Sequence, residues 1–284
     1  MRKEYYCLVA GLSDLIFDAS KTGISLSDFR SYLKEELTPD DFFLVESYFW
    51  RYDNNNLLLF LQKKDEKINP HGNLTREDFD TIFTLIKEDV LSGYNKWIPP
   101  YFERFITAFR NDEPLIPNKS WENQLTELYF EFLETLESSF LKDWYRFEKD
   151  FNNILVAANC RKYKLDIEPQ LIGANELTEK LIKSSAKDFG IGNEFPKIEQ
   201  IFRMLEETNL FEREKKIDLI KWELLDETTF FHYFTIEKIF SYVVKVEIIE
   251  RWIGLSKEIG QELFQKLVNN METSQKFPEE FSQK

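Results

Sequence analysis

With 51 acidic against 37 basic side chains in 284 residues, the chain carries a formal charge of −14, which excludes the lysine and arginine excess that nucleic-acid binding needs. Nine glycines and nine prolines are too few for the many tight turns of a sandwich or barrel, and 27 phenylalanines in a 43% hydrophobic composition supply a large core. The expected class is all-α.

The N-terminus has Arg2-Lys3 before Tyr5-Tyr6-Cys7-Leu8-Val9-Ala10-Gly11-Leu12, too short an apolar core for a signal peptide and without a cleavage site. A buried opening segment, extended or helical, is expected through residue 17. Ser25 or Ser27 caps a helix reaching about Glu36. Thr38-Pro39-Asp40-Asp41 starts the next, with proline at its first position and Phe42, Val45, Phe49 and Tyr52 at helical spacing. Asn69-Pro70-His71-Gly72-Asn73 reads as a loop, and Thr75 with Asp78 opens another helix.

Trp97-Ile98-Pro99-Pro100 forms a turn, and Asn111–Asn118 a loop. A single long helix is expected from Trp121 to Lys149, with Leu125, Leu128, Phe132, Leu136, Phe140 and Trp144 along one side. Asp166-Ile167-Glu168-Pro169 breaks the chain, Asn175-Glu176-Leu177 restarts it, and Phe189–Pro196 is a loop. Helices follow over about 197–210 and 212–225, and Asp226 or Thr228 caps the next. Beyond Met271 a loosely held tail is expected. No run nears the roughly 20 apolar residues of a membrane span, so no direct membrane insertion is expected.

An internal repeat organises this string. Tyr48, Tyr145 and Tyr242 follow one another at intervals of 97 residues, and so do Asp53, Asp150 and Glu247. The tails after these anchors are also alike: Asn55-Asn56-Leu57, Asn152-Asn153-Ile154 and Ile249-Glu250-Arg251. The reading is a triplicated helical unit, with lobes over 1–110, 111–205 and 206–284 and with the N-terminal segment able to pack on the last.

Chemistry-bearing motifs are sparse. Cys7 and Cys160 lack metal-type spacing, so neither a disulfide nor a zinc site is expected and the setting is reduced and cytoplasmic. His71 sits in a turn and His232 in an aromatic run, neither with an acid-base pattern. Asp188-Phe189-Gly190 copies the metal-binding letters of protein kinases without their other motifs. Asp40-Asp41-Phe42-Phe43-Leu44 resembles the acid-rich motif of helical terpenoid synthases, which makes a magnesium- and diphosphate-dependent enzyme the catalytic alternative. The third acid is missing at Leu44, and the helix dipole accounts for acids in a first turn. Asp53-Asn54-Asn55-Asn56 has two readings, calcium coordination or structural hydrogen bonding between helices, and lacks the glycine and glutamate of an EF-hand. Asn73-Leu74-Thr75 and Asn118-Lys119-Ser120 match glycosylation acceptors but carry no weight without a secretory signal. No catalytic, cofactor-binding or metal residues are expected.

The run Ile239, Tyr242, Lys245, Glu247, Ile248 and Arg251 resembles the C-terminal signature of the C-subunit family of V-type and archaeal-type rotary ATPases, whose eukaryotic members are the d subunits. Tyr5 to Leu12 is similar to the start of that family, and the whole chain resembles a bacterial C-subunit-like family encoded beside V-type ATPase genes. The chain is shorter than the family's usual length, and Glu250 stands where that family often has Asn. The resemblance implies three helical lobes in a funnel and a non-catalytic central-stalk adaptor. Its implied partners are the shaft subunits and the proteolipid ring, on the cytoplasmic side of the inner membrane, in a pump that moves protons or other ions. A generic helical scaffold is the remaining alternative.

Overall fold

A computed structural model describes residues 3–64, 66–88, 98–255 and 260. Among them are eleven α-helices and no strand: α1 Tyr6–Ala10, α2 Leu26–Glu36, α3 Pro39–Leu61, α4 Arg76–Lys87, α5 Phe102–Asn111, α6 Trp121–Leu133, α7 Ser139–Tyr163, α8 Glu176–Lys183, α9 Ile198–Leu205, α10 Leu210–Thr228 and α11 Ile236–Gly254. The all-helical class expected from the composition is what the chain adopts. Trp97 and the tail beyond Met271 lie outside the described residues.

The chain divides into two compact units, Met1–Tyr32 with Thr229–Lys284 and Leu33–Thr228. The expected lobe boundaries at 110/111 and 205/206 both lie within the second of these. In the first unit, the opening segment lies on the loop before α11, and α2 lies on α11 itself. The Tyr5 N–H donates to the Phe234 carbonyl at 2.7 Å, the rings of Tyr6 and Phe234 meet at 4.7 Å, and Phe29 of α2 meets Tyr242 of α11 edge-on at 5.1 Å.

The second unit grows from α3. Pro39 occupies its first position and Thr38 caps it, accepting the Asp41 N–H at 3.2 Å. Val45, Tyr48, Phe49, Trp50 and Leu57 are buried along it, with α4 and α6 packed against it. Trp50 meets Phe132 of α6 at 4.9 Å and Phe43 at 5.4 Å. Burying side chains of this size contributes roughly 1.5–3 kcal/mol each, which explains what the unusual phenylalanine content is for.

The single helix expected over 121–149 is two. α6 stops at Leu133, and Ser138 caps α7 by accepting the Leu141 N–H at 3.3 Å, so the chain changes direction where a cap is present. The spacing of apolar residues runs through the break and hides it. Likewise neither Asp226 nor Thr228 starts a helix: α10 runs through both, and Thr235 precedes α11. At the far end of α7, Lys164 takes a left-handed conformation (φ 57°) and Leu165 donates back to Cys160 at 2.9 Å, closing the helix.

Candidate functional site

The three anchor tyrosines all lie buried in long helices, Tyr48 in α3, Tyr145 in α7 and Tyr242 in α11. The Tyr145 hydroxyl lies 3.4 Å from Ser47 Oγ, and the Tyr242 hydroxyl 3.1 Å from Ser13 Oγ. The Arg51 guanidinium sits over the Tyr48 ring, 3.8 Å from its centroid. Lys245 and Glu247 are also buried, whereas Arg251 is exposed beside the Trp252 ring.

What the three helices share most closely lies three residues beyond each anchor acid. Asn56 donates to the Asn69 carbonyl at 3.0 Å and accepts the Asn69 N–H at 2.7 Å. Asn153, 97 positions on, does the same to Ile172 at 2.9 and 2.8 Å. A primary amide can satisfy a backbone donor and acceptor together, which is what a strand neighbour does, and here it fixes a loop to a helix. A further 97 positions on, Glu250 accepts the Leu26 N–H at 2.8 Å.

The anchor acids reach the next structural feature. Asp53 Oδ1 accepts the Leu74 N–H at 2.8 Å, just before Thr75, and Asp150 Oδ1 accepts from the Asn175 amide at 3.1 Å. Thr75 and Asn175 are the caps of α4 and α8, and each closes a reciprocal box, with Asp78 and with Thr178. At α2 the Ser25 hydroxyl plays a related part: it accepts the Asp28 N–H at 3.1 Å and donates to the Asp28 carboxylate at 2.6 Å.

Three modules therefore recur, each a long helix clamping the capped start of a shorter one: α3 with α4, α7 with α8, and α11 with α2. The third is circularly closed, because its short helix comes from the other end of the chain. The loop in the first module runs so near the helix that a Cβ on Gly72 would lie 2.6 Å from Asp53 Oδ1 and 2.7 Å from Asn56 Nδ2. Only glycine permits that approach. The repeat interval points to Asn56 and Asn153 in sequence, but their partners lie 13 and 19 residues on, and nothing in the sequence marks those.

Around the first two modules runs a buried polar seam. Tyr101 donates to Asn54 at 2.9 Å, Tyr129 to the Ser47 carbonyl at 3.2 Å, and Lys221 pairs with buried Glu148 at 3.0 Å. Burial pushes the hydroxyls of Tyr101, Tyr129 and Tyr145 well above the usual phenol range, so all three stay protonated throughout the physiological range. Burial also raises the Asp150 carboxyl, against the lowering influence of the Asn175 amide, Lys149 and Arg146.

The remaining motifs occupy structural places. Asp41 accepts the Thr38 hydroxyl at 2.9 Å as part of the α3 cap, and Asp40 is exposed. Asp53, Asn54 and Asn56 each bond to protein groups. Among the described residues no three His, Cys, Asp or Glu side chains are grouped to hold a metal. Phe189 is buried beneath the Arg161 guanidinium, 3.6 Å from its ring centroid, while Arg161 donates to the carbonyls of Ala186 and Ser184. Asp188-Phe189-Gly190 is thus a turn pinned by one arginine. His71 packs on Tyr52 at 5.5 Å, and His232 Nδ1 lies 3.9 Å from Glu237. Asn73 donates to the Glu46 carbonyl, and Asn118 is exposed. Cys7 is exposed, and the buried Cys160 thiol is raised by burial.

The described residues contain no helix long and apolar enough to cross a membrane. The loop before α11 exposes Phe230, Phe231 and Tyr233, at 65%, 80% and 60%. Three large aromatics exposed within four positions form a concentrated apolar patch.

A family model described as a protein of unknown function, DUF2764, matches residues 1–275. The chain belongs to the DUF2764 family. The match spans all three modules, including both ends of the circularly closed one. No curated protein and no solved structure matches this DUF2764 chain.

Proposed function

We propose that this DUF2764 protein is a non-catalytic adaptor in the central stalk of a V-type ATPase, coupling the rotary shaft to the membrane proteolipid ring during ion transport. One observation carries the reading: a long helix bound to the start of a shorter one occurs three times, twice through the same two-bond asparagine clamp and once through Glu250 of α11 accepting the N–H of Leu26 at the start of α2, which comes from the N-terminal end of the chain. A triplicated helical body is what the resemblance to the C-subunit family implies, and the Lys245, Glu247 and Arg251 run together with Tyr5 to Leu12 points to that family. A part that transmits torque must resist bending, and clamps that tie each long helix to the next cap supply stiffness through directional bonds.

On this reading Lys245 and Glu247 belong to the signature because they are buried, and they hold α11 in its unit. Contact with shaft or ring falls to exposed groups, foremost Phe230, Phe231 and Tyr233. The net charge of −14 favours partner surfaces rich in basic side chains. The funnel arrangement of three lobes and a cytoplasmic position against the inner membrane belong to the same proposal.

The test is affinity purification of the tagged full chain from its own cells, in mild detergent, with identification of what accompanies it. Recovery of shaft and ring subunits in defined proportion supports the adaptor. Recovery of neither, from cells that express an assembled V-type ATPase, overturns it.

A further inference from the structure

The modules are alike in their clamps and differ in what surrounds them. A cavity of about 630 Å³ opens where the C-terminal end of α3 meets α4 and α5. Its size falls within the range of small-molecule sites. Phe60, Phe83 and Phe109 form its apolar wall, with the rings of Phe60 and Phe83 5.1 Å apart. Lys63, Arg76 and Arg110 line it together with a single carboxylate, Asp80.

Three features set this lining apart. The chain is strongly acidic, yet here cations outnumber acids three to one. None of the three cations forms an ion pair among the described residues, although most described lysines of α7 to α10 are paired. Lys63 is held beside the wall by a left-handed backbone (φ 54°), with its N–H bonded to the Phe60 carbonyl at 3.1 Å. In the register set by the clamps and caps, the second module has Ala157 for Phe60, Glu176 for Arg76 and Lys183 for Phe83. The shared scaffold therefore does not require these residues.

We infer that this pocket binds a small organic anion with a flat apolar body, such as a carboxylate or phosphate carried on an aromatic ring. The guanidinium groups of Arg76 and Arg110 present planar donors suited to two oxygens of one acid group, and Lys63 adds a third charge. The phenylalanine rings take the ring of the ligand, and an arginine plane can stack on it. A simple inorganic anion would leave the apolar wall wet, and a neutral aromatic would leave the cations unmatched.

The probe is 1-naphthyl phosphate, titrated into the full chain by calorimetry, with 1-naphthol and inorganic phosphate as separate arms. Saturable one-to-one binding is expected for the naphthyl phosphate and at least tenfold weaker binding for each fragment. Arg76→Gln and Arg110→Gln are each expected to weaken it by about tenfold, the weight of one charge-assisted hydrogen bond. Both side chains are exposed, so the variants keep the fold, which circular dichroism checks. Should either variant unfold, raising sodium chloride to roughly 0.5 M on the unaltered chain replaces it, because screening then removes most of the charge attraction. Absence of saturable binding, equal binding of either fragment, or binding indifferent to both arginines and to salt overturns the assignment.

Discussion

Asn56 and Asn153 perform the same act 97 residues apart: each amide gives one hydrogen bond to a loop carbonyl and takes one from the N–H of that same residue, Asn69 in one case and Ile172 in the other. Both amides are buried. Asn153→Ala would leave the Ile172 N–H and carbonyl without partners in a place water does not reach, so a loss of about 1–3 kcal/mol in urea unfolding is expected. Asn153→Asp keeps the acceptor but turns a carboxylate toward the Ile172 carbonyl, and it should be no better than alanine. A loss under about 0.5 kcal/mol for both would show that the clamp is dispensable.

The close passage of Gly72 gives a second test. Its Cβ position lies 2.6 Å from one clamp atom and 2.7 Å from another, so Gly72→Ala must push Asp53 and Asn56 off their partners. A cost of about 1–3 kcal/mol is expected, as for other overpacked sites. Because the alanine does its damage partly through Asn56, Gly72→Ala with Asn56→Ala should cost less than the two separate losses together. Strict additivity in that cycle would mean that the strain is absorbed elsewhere.

These clamps also show what was legible in the sequence. Composition alone indicates the all-helical class, because so few glycines and prolines leave little else. Caps with a reciprocal partner, such as Thr75 with Asp78, can be read directly, since both halves lie within one turn. The break between α6 and α7 cannot, because Leu133, Leu136 and Leu141 are all buried and keep an apolar rhythm across it. The clamp partners escape for a different reason: hydrogen bonding to a backbone leaves no trace in the identity of the residue that is held. Glu250 is the instructive case. Beside the C-subunit pattern it is only a departure from Asn, but in the fold it keeps the accepting half of the clamp on Leu26.

The Glu250 contact predicts a contrast between two substitutions. Glu250→Gln retains an oxygen for the Leu26 N–H and should be tolerated. Glu250→Ala removes it and should cost about 1 kcal/mol, in the range of a lost helix cap. The sharper readout is hydrogen exchange at the Leu26 amide, which should quicken in the alanine variant and not in the glutamine one. Equal protection in all three proteins would sever the link between α11 and α2.

Asp150 sets a pH dependence. Burial is the largest influence on its carboxyl and raises it, so the folded state binds the proton more tightly than the unfolded chain does. At neutral pH the ionised group therefore counts against folding. That penalty is relieved as pH falls through the raised folded value toward the ordinary value of 3.8, below which nothing further is gained. Asp150→Asn keeps an oxygen for the Asn175 amide without the charge. Its unfolding free energy should match or exceed that of the unaltered chain at pH 7, by under about 1 kcal/mol given the partial exposure, and the difference should shrink in acid. A variant that is less stable at pH 7 and gains nothing in acid would reverse the sign.

The aromatic loop before α11 distinguishes folding from assembly. Phe230 and Phe231 touch edge-on at 4.9 Å but are 65% and 80% exposed, so neither gains much from the core. Replacing both with serine should leave the unfolding free energy within about 0.5 kcal/mol, as exposed substitutions do. Large aromatics are the residue type most often found to dominate protein interfaces, where truncating one commonly costs about 2 kcal/mol or more. On the adaptor reading the Phe230→Ser, Phe231→Ser chain should remain folded yet lose most of its shaft and ring partners on affinity purification, by roughly tenfold or more in recovered amount for a 2 kcal/mol loss. Buried Lys245 supplies the opposite control, since Lys245→Ala should lower stability before it affects partners. Undiminished recovery with the doubly substituted loop would move the contact to another face and leave Phe230 and Phe231 without a role in assembly.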